Sequence, residues 1–106
     1  MEGSKKNTLQ ISKHAEGSTL TVCVEGSLDA VTVKDLNAAL LNSLTGVELL
    51  ILNFENLRYV SSAGLRTILI VQKTMSKQGT MKILGANDTV KEIFHSVGFD
   101  KILSLA

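Results

Sequence analysis

Among its 106 residues the chain has one cysteine and no proline, and its aromatic share is 4%. One thiol closes no internal disulfide and builds no multi-cysteine metal site, which fits a reducing compartment and a cytoplasmic protein. The missing proline carries no functional message. An excess of one charge is also lacking: eleven basic against ten acidic residues leave a formal net charge of +1. That is too little to neutralise a run of phosphates, so nucleic acid is not an expected partner. No apolar run approaches the ~20 residues that span a bilayer, and the stretch Met1 to Asn7 is polar where a signal peptide has an apolar core. Neither membrane insertion nor secretion is expected.

What is present is an ordinary globular balance, 44% hydrophobic and 20% charged, in a length that predicts one domain over residues 1–106 with a disordered start at residues 1–7. Leu9 to His14 and Thr19 to Glu25 read as a hairpin across Ala15-Glu16-Gly17-Ser18. Val33, Leu36, Leu40 and Leu44 recur at helical spacing and predict an amphipathic helix from Val31 to Leu44. Leu49 to Phe54 is apolar on both faces and predicts a central strand covered on each side. Leu65, Ile68, Leu69, Gln72 and Met75 trace a second helix up to Gln78, ended by Gly79. Thr80 to Leu84 is a short strand. Val90, Ile93, Phe94 and Val97 give a third helix stopped by Gly98 and capped by Asn87, Asp88, or Thr89 with Glu92 as a capping box. Lys101 to Leu105 is a final edge strand. Strands alternating with helices predict an α/β fold with right-handed crossovers, a mostly parallel sheet of four to five strands and three to four helices.

The segment from Tyr59 to Arg66, Tyr-Val-Ser-Ser-Ala-Gly-Leu-Arg, is a serine-rich turn that opens the second helix. It falls at the carboxyl edge of the sheet, where α/β proteins carry their sites. Its two serines can cap the helix, act as nucleophiles or accept a phosphoryl group. With Ser61 as N-cap, accepting from the amide of Ala63 or Gly64, Ser62 stands at the first helical position with its side chain free. A phosphate there is tolerated by the positive end of the helix dipole. Gly64, without a side chain, lets a partner backbone approach closely.

Gly26-Ser27-Leu28-Asp29 before a helix, then Leu-Ile-Leu-Asn-Phe and Tyr-Val-Ser-Ser-Ala-Gly-Leu, resemble the STAS domain of bacterial anti-sigma factor antagonists. The resemblance runs from about Leu9 to Leu105, and Gly98 to Ile102 adds to it. It implies a phosphoprotein that binds an anti-sigma factor with serine kinase activity, is released when phosphorylated and is restored by a metal-dependent serine phosphatase. Laid on this chain through Gly64 and Leu65, the phosphoacceptor falls on Ser62 and the docking face on Asp29, Ser61, Ser62, Ala63, Gly64 and Arg66. The family's acidic residue before the acceptor is Ser61 here, which makes Ser61 a second possible acceptor, and its following hydroxyl is replaced by Ala63. ATP is then the kinase's substrate, and no cofactor of this chain is implied.

Asp29, ahead of the first helix, reads first as a cap and second as a partner contact. Arg58 and Arg66 flank the turn and are expected to be solvent-exposed, with pairing to a phosphate or carboxylate as the other reading. Cys23 reads as a small hydrophobe packed on its strand. His14 and His95 have no companions at metal-ligand spacing. A hydrolase elbow needs Gly two residues before its serine, where Val60 stands before Ser62, so catalysis is not expected. The alternative to the switch is a STAS module, never phosphorylated, within a signalling or transport complex.

Overall fold

The computed structural model describes residues 9–101, 104 and 105, with the side chains of 41, 100, 104 and 105 left aside. The expected disordered start at residues 1–7 lies outside the described residues. The chain forms β1 (Leu9–Glu16), β2 (Thr19–Leu28), α1 (Val33–Leu41), β3 (Leu49–Asn53), β4 (Leu57–Val60), α2 (Ser62–Ser76), β5 (Thr80–Leu84), α3 (Asp88–Ser96), a 3-10 turn (Phe99–Lys101) and β6 (Ser104–Leu105). Strands follow one another across the sheet as β1-β2-β3-β5-β6, with β1 antiparallel and the other pairs parallel. This is the mostly parallel α/β sheet with three helices that the alternation predicts. The expected final strand is present as residues 104 and 105, with 102 and 103 outside the described residues and Lys101 in the 3-10 turn.

Unforeseen was β4, which pairs parallel with the far end of β2 beyond the point where β3 stops. The register shifts between Gly26 and Ser27, a bulge that lets β2 change neighbours. Tyr59 and Val60 are therefore strand rather than turn, and only Ser61 separates β4 from α2.

The strands place alternate residues on opposite faces, and one face carries the core. Leu20, Val22, Val24 and Leu28 of β2, Leu50 and Leu52 of β3 and Met81 and Ile83 of β5 are buried with Leu36 and Leu40 of α1, Ile68, Val71 and Met75 of α2 and Val90 and Phe94 of α3. Since β2, β3, β5 and β6 succeed one another in one direction, right-handed crossovers put all three helices on the same side. The other face is open. Leu49, Ile51 and Asn53 are only half-buried on it, so β3 is not covered on both sides as its apolar run suggested. Cys23 is likewise exposed, not packed, because it shares its face with Thr19, Thr21 and Glu25.

Helix ends are shorter than the periodicity implied. The first helix begins at Val33 after a tight turn and ends at Leu41, which leaves Leu44 half-buried in the following loop. Asn87 alone caps α3, its Oδ1 accepting from the Val90 amide at 2.8 Å while its Nδ2 donates to the Leu57 carbonyl at 3.0 Å. Gly79 is not a left-handed helix terminator: α2 stops at Ser76, and a Cβ at Gly79 would overlap the backbone of Glu48, whose carbonyl accepts from the Thr80 amide at 2.9 Å. Gly79→Ala should consequently destabilise by about 1–3 kcal/mol in urea unfolding, the overpacking penalty. A glycine of ordinary φ with open space around its Cα would instead gain about 0.4–1 kcal/mol from the lost unfolded-state entropy.

Candidate functional site

Two turns meet at the carboxyl edge of the sheet. The first, Asp29 to Thr32, joins β2 to α1. Asp29 Oδ1 accepts from the amides of Val31 and Thr32, both at 2.9 Å, and the Val33 amide donates to the Asp29 carbonyl at 2.8 Å. Thr32 answers in kind: its Oγ1 accepts from the Asp29 amide at 2.9 Å and donates to the Ser27 carbonyl at 2.7 Å. This is a reciprocal cap of the Asp-x-x-Thr kind, in which each side chain satisfies the other's backbone. The two amides hold the Asp29 carboxyl below the ordinary aspartate range, the Thr32 amide contributing most, against the opposing effect of partial desolvation.

The second turn is Ser61, between β4 and α2. Its backbone is extended and its amide donates to the Leu28 carbonyl at 2.8 Å, so the residue is fixed to the end of β2. Its Oγ caps α2 with a long contact, 3.4 Å from the Gly64 amide. Ser62 follows as the first residue of α2 and is exposed, and no hydrogen bond engages its hydroxyl among the described residues. Gly64 does not open the turn to a visitor. It is buried, and a Cβ there would stand 2.9 Å from Leu28 Cγ and from Val60 Cγ1, so the bare backbone serves to seat α2 on β2 and β4. Ala63 is half-buried; Arg58 and Arg66 are exposed.

Of the residues singled out from sequence, Asp29, Ser61, Ser62, Ala63, Gly64 and Arg66 therefore lie on two turns joined through Leu28, with Gly64 facing inward. Cys23 lies elsewhere, beside an open-face cavity of about 300 Å³ that also touches Ser12, Glu25, Asn53 and Glu55. Among the described residues no group of three or more His, Cys, Asp or Glu is arranged to hold a metal ion, and no helix is long and apolar enough to cross a membrane. Thr32 went unnoticed in the sequence. Its three-residue spacing from Asp29 is the available signal.

The family model of the STAS domain matches residues 10–106. The chain belongs to the STAS domain family. It is 32% identical over 89 residues to BtrV of Bordetella bronchiseptica, a candidate anti-sigma factor antagonist, covering 82% of this chain and 77% of that one. The fold is shared with an anti-sigma factor antagonist from Mycobacterium paratuberculosis, TM-score 0.85 at 18% identity, over 93% of this chain and 86% of the other. It is shared as well with the antagonist SpoIIAA in its unphosphorylated form, TM-score 0.77 at 22% identity, over 93% and 88%. In this STAS domain the serine turn and the Asp29 turn thus occupy one edge of a family-typical fold.

The depressed Asp29 carboxyl has a pH signature. A carboxyl with a lower folded than unfolded pKa adds stability that is present above the unfolded value and lost as pH falls through the folded one. Carbon-detected NMR titration should place the Asp29 midpoint below that of an unstructured aspartate, and Asp29→Asn should flatten the acid limb of stability against pH below about pH 4.

Proposed function

We propose that this STAS domain is an anti-sigma factor antagonist and that Ser62 is the hydroxyl through which its partner binding is controlled. The observation that carries the reading is the division of labour in the serine turn: Ser61 is tied into the fold by its amide and its cap, whereas Ser62 is exposed on the first turn of α2. BtrV supports the antagonist role, and SpoIIAA of Bacillus has been solved in a phosphorylated form on the same fold. The partner is an anti-sigma factor with serine kinase activity. It supplies ATP, and the Ser62 Oγ attacks the γ-phosphorus: an O–P bond forms, the bond to ADP breaks and the hydroxyl proton leaves to a base of the kinase.

The product carries about −1.5 to −2 charges where a neutral hydroxyl stood. Backbone amides at the start of α2 and the helix dipole tolerate that charge, so the domain keeps its fold. A partner whose surface matched the neutral turn is repelled, and a loss of about 1–2 kcal/mol there already shifts occupancy some five- to thirty-fold. A metal-dependent serine phosphatase returns the domain to its binding form. The domain itself acts as a binding protein, not a catalyst.

Incubation with ATP and the cognate kinase, followed by intact mass and site mapping, tests this directly. One phosphate is expected on Ser62, coupled to release from the kinase. Ser62→Ala should fold normally and take up none, while Ser61→Ala should still be phosphorylated and lose about 0.5–1 kcal/mol of stability with its cap. Stable binding without any phosphate would replace the switch with a constitutive STAS scaffold.

A further inference from the structure

Arg66 is the one charged side chain of α2 before Lys73, and the function read from Ser62 leaves it unused. An arginine on a helix surface can pair with an acid three or four residues away. Here those neighbours are Ser62, Ala63, Leu69 and Ile70, and α2 contains no aspartate or glutamate along its whole length. Arg66 is exposed, and among the described residues it enters no ion pair. The only one of its helix neighbours that can acquire a charge is Ser62.

The spacing is the favourable one. Residues four apart on an α-helix bring their Cβ atoms to about 5–6 Å, and an anion placed N-terminal to a cation is the stronger orientation. Ser62 opens α2 and Arg66 follows one turn later, both exposed, so their side chains share one stripe of the helix surface. A guanidinium presents a planar fork of donors that fits two phosphate oxygens at once. The other charged side chains on elements that enter or leave the same edge are Asp29, Lys34, Asp35, Arg58 and Asp88. Asp29 is committed to the amides of Val31 and Thr32, and none of the five belongs to α2.

We propose that Arg66 is the internal counter-ion of a phosphate on Ser62, folding back one turn to hold it in a bidentate pair. The inference rests on the reading of Ser62 as the phosphorylated hydroxyl and adds what becomes of the group once it is made. Before modification the edge carries a free guanidinium beside a neutral hydroxyl. Afterwards the phosphate takes that guanidinium for itself, so one modification both adds an anion and withdraws a cation from the surface a partner meets. The pair also favours the dianion over the monoanion, since the second proton of a phosphoserine leaves near pH ~6 and an adjacent cation lowers that value. The switch is therefore more fully charged at neutral pH than an isolated phosphoserine.

Phosphoserine placed at position 62 by genetic code expansion, without any kinase, isolates the claim. Phosphorus NMR titration should put the phosphate midpoint of the otherwise wild-type domain about half a pH unit below that of the Arg66→Gln variant, with Arg66→Lys in between. Arg58→Gln should leave the midpoint within about 0.1 of a pH unit of the parent, because β4 offers no helical spacing to Ser62. The Arg66 side-chain Nε–H resonance should move on phosphorylation while that of Arg58 stays. Equal midpoints in the parent and Arg66→Gln domains, or a shift in Arg58→Gln as large as that in Arg66→Gln, overturn the assignment. The parent reading fails separately, if the cognate kinase adds no phosphate to Ser62.

Discussion

The carbonyl of Leu28 is the point on which the edge carrying both turns depends. It accepts the Ser61 amide at 2.8 Å, and the Leu28 side chain below it is fully buried against the position where Gly64 lacks a Cβ. One residue thereby fixes the entry of α2 twice, through backbone and through packing. The next residue in the chain is Asp29, which winds the entry of α1. Two helices that begin some thirty residues apart are therefore set by adjoining positions at the end of one strand. Disturbing Leu28 would move both turns together, because both are fastened to the same end of β2.

A second constraint comes from the sheet. Parallel sheets are normally covered on both faces, but here successive strands advance in one direction and right-handed crossovers leave one face bare. The polar residues of β1 and β2 make that tolerable: Gln10, Ser12, His14 and Glu16 share the open face with Thr21, Cys23 and Glu25. The price is a half-exposed β3, with Leu49 and Ile51 screened by their neighbours rather than by a helix. With the helices on one side, both helix entries that frame the site rise from the same edge.

Much of this was legible in the chain. Helical spacing of Leu36 and Leu40, of Ile68 and Met75, and of Val90 and Phe94 located the three helices, and the apolar run at Leu49 located the central strand. The shortfalls have physical causes. The strand Leu57–Val60 has only four residues and buries its two ends, a pattern without the alternation that marks a strand. The apolar neighbours of Cys23 suggest burial, but strand parity decides its side: Leu20, Val22 and Val24 point inward, so the residue between the valines points out. Gly64 does mark a close approach, but of the domain's own Leu28 and Val60 rather than of a partner, a distinction that depends on how α2 packs and that the local sequence does not carry. Thr32 was hidden by its ordinariness, and its hydroxyl acquires meaning only when the Ser27 carbonyl is seen 2.7 Å away.

The two serines illustrate why a motif alone does not assign roles. Both are adjacent, both are hydroxyls, and both stand at a helix start. The backbone separates them: Ser61 has an extended conformation and an amide committed to Leu28, whereas Ser62 has entered the helix and projects outward. A kinase must hold its acceptor oxygen in line with the γ-phosphorus. Ser61 offers an oxygen turned toward the Gly64 amide, so phosphorylating it would exchange the cap for a phosphate at the point where α2 is fastened to β2. Ser62 offers an oxygen that the fold does not use. A modification placed there changes what a partner meets while leaving the joined turns intact, which is the property a reversible switch on a small rigid domain requires.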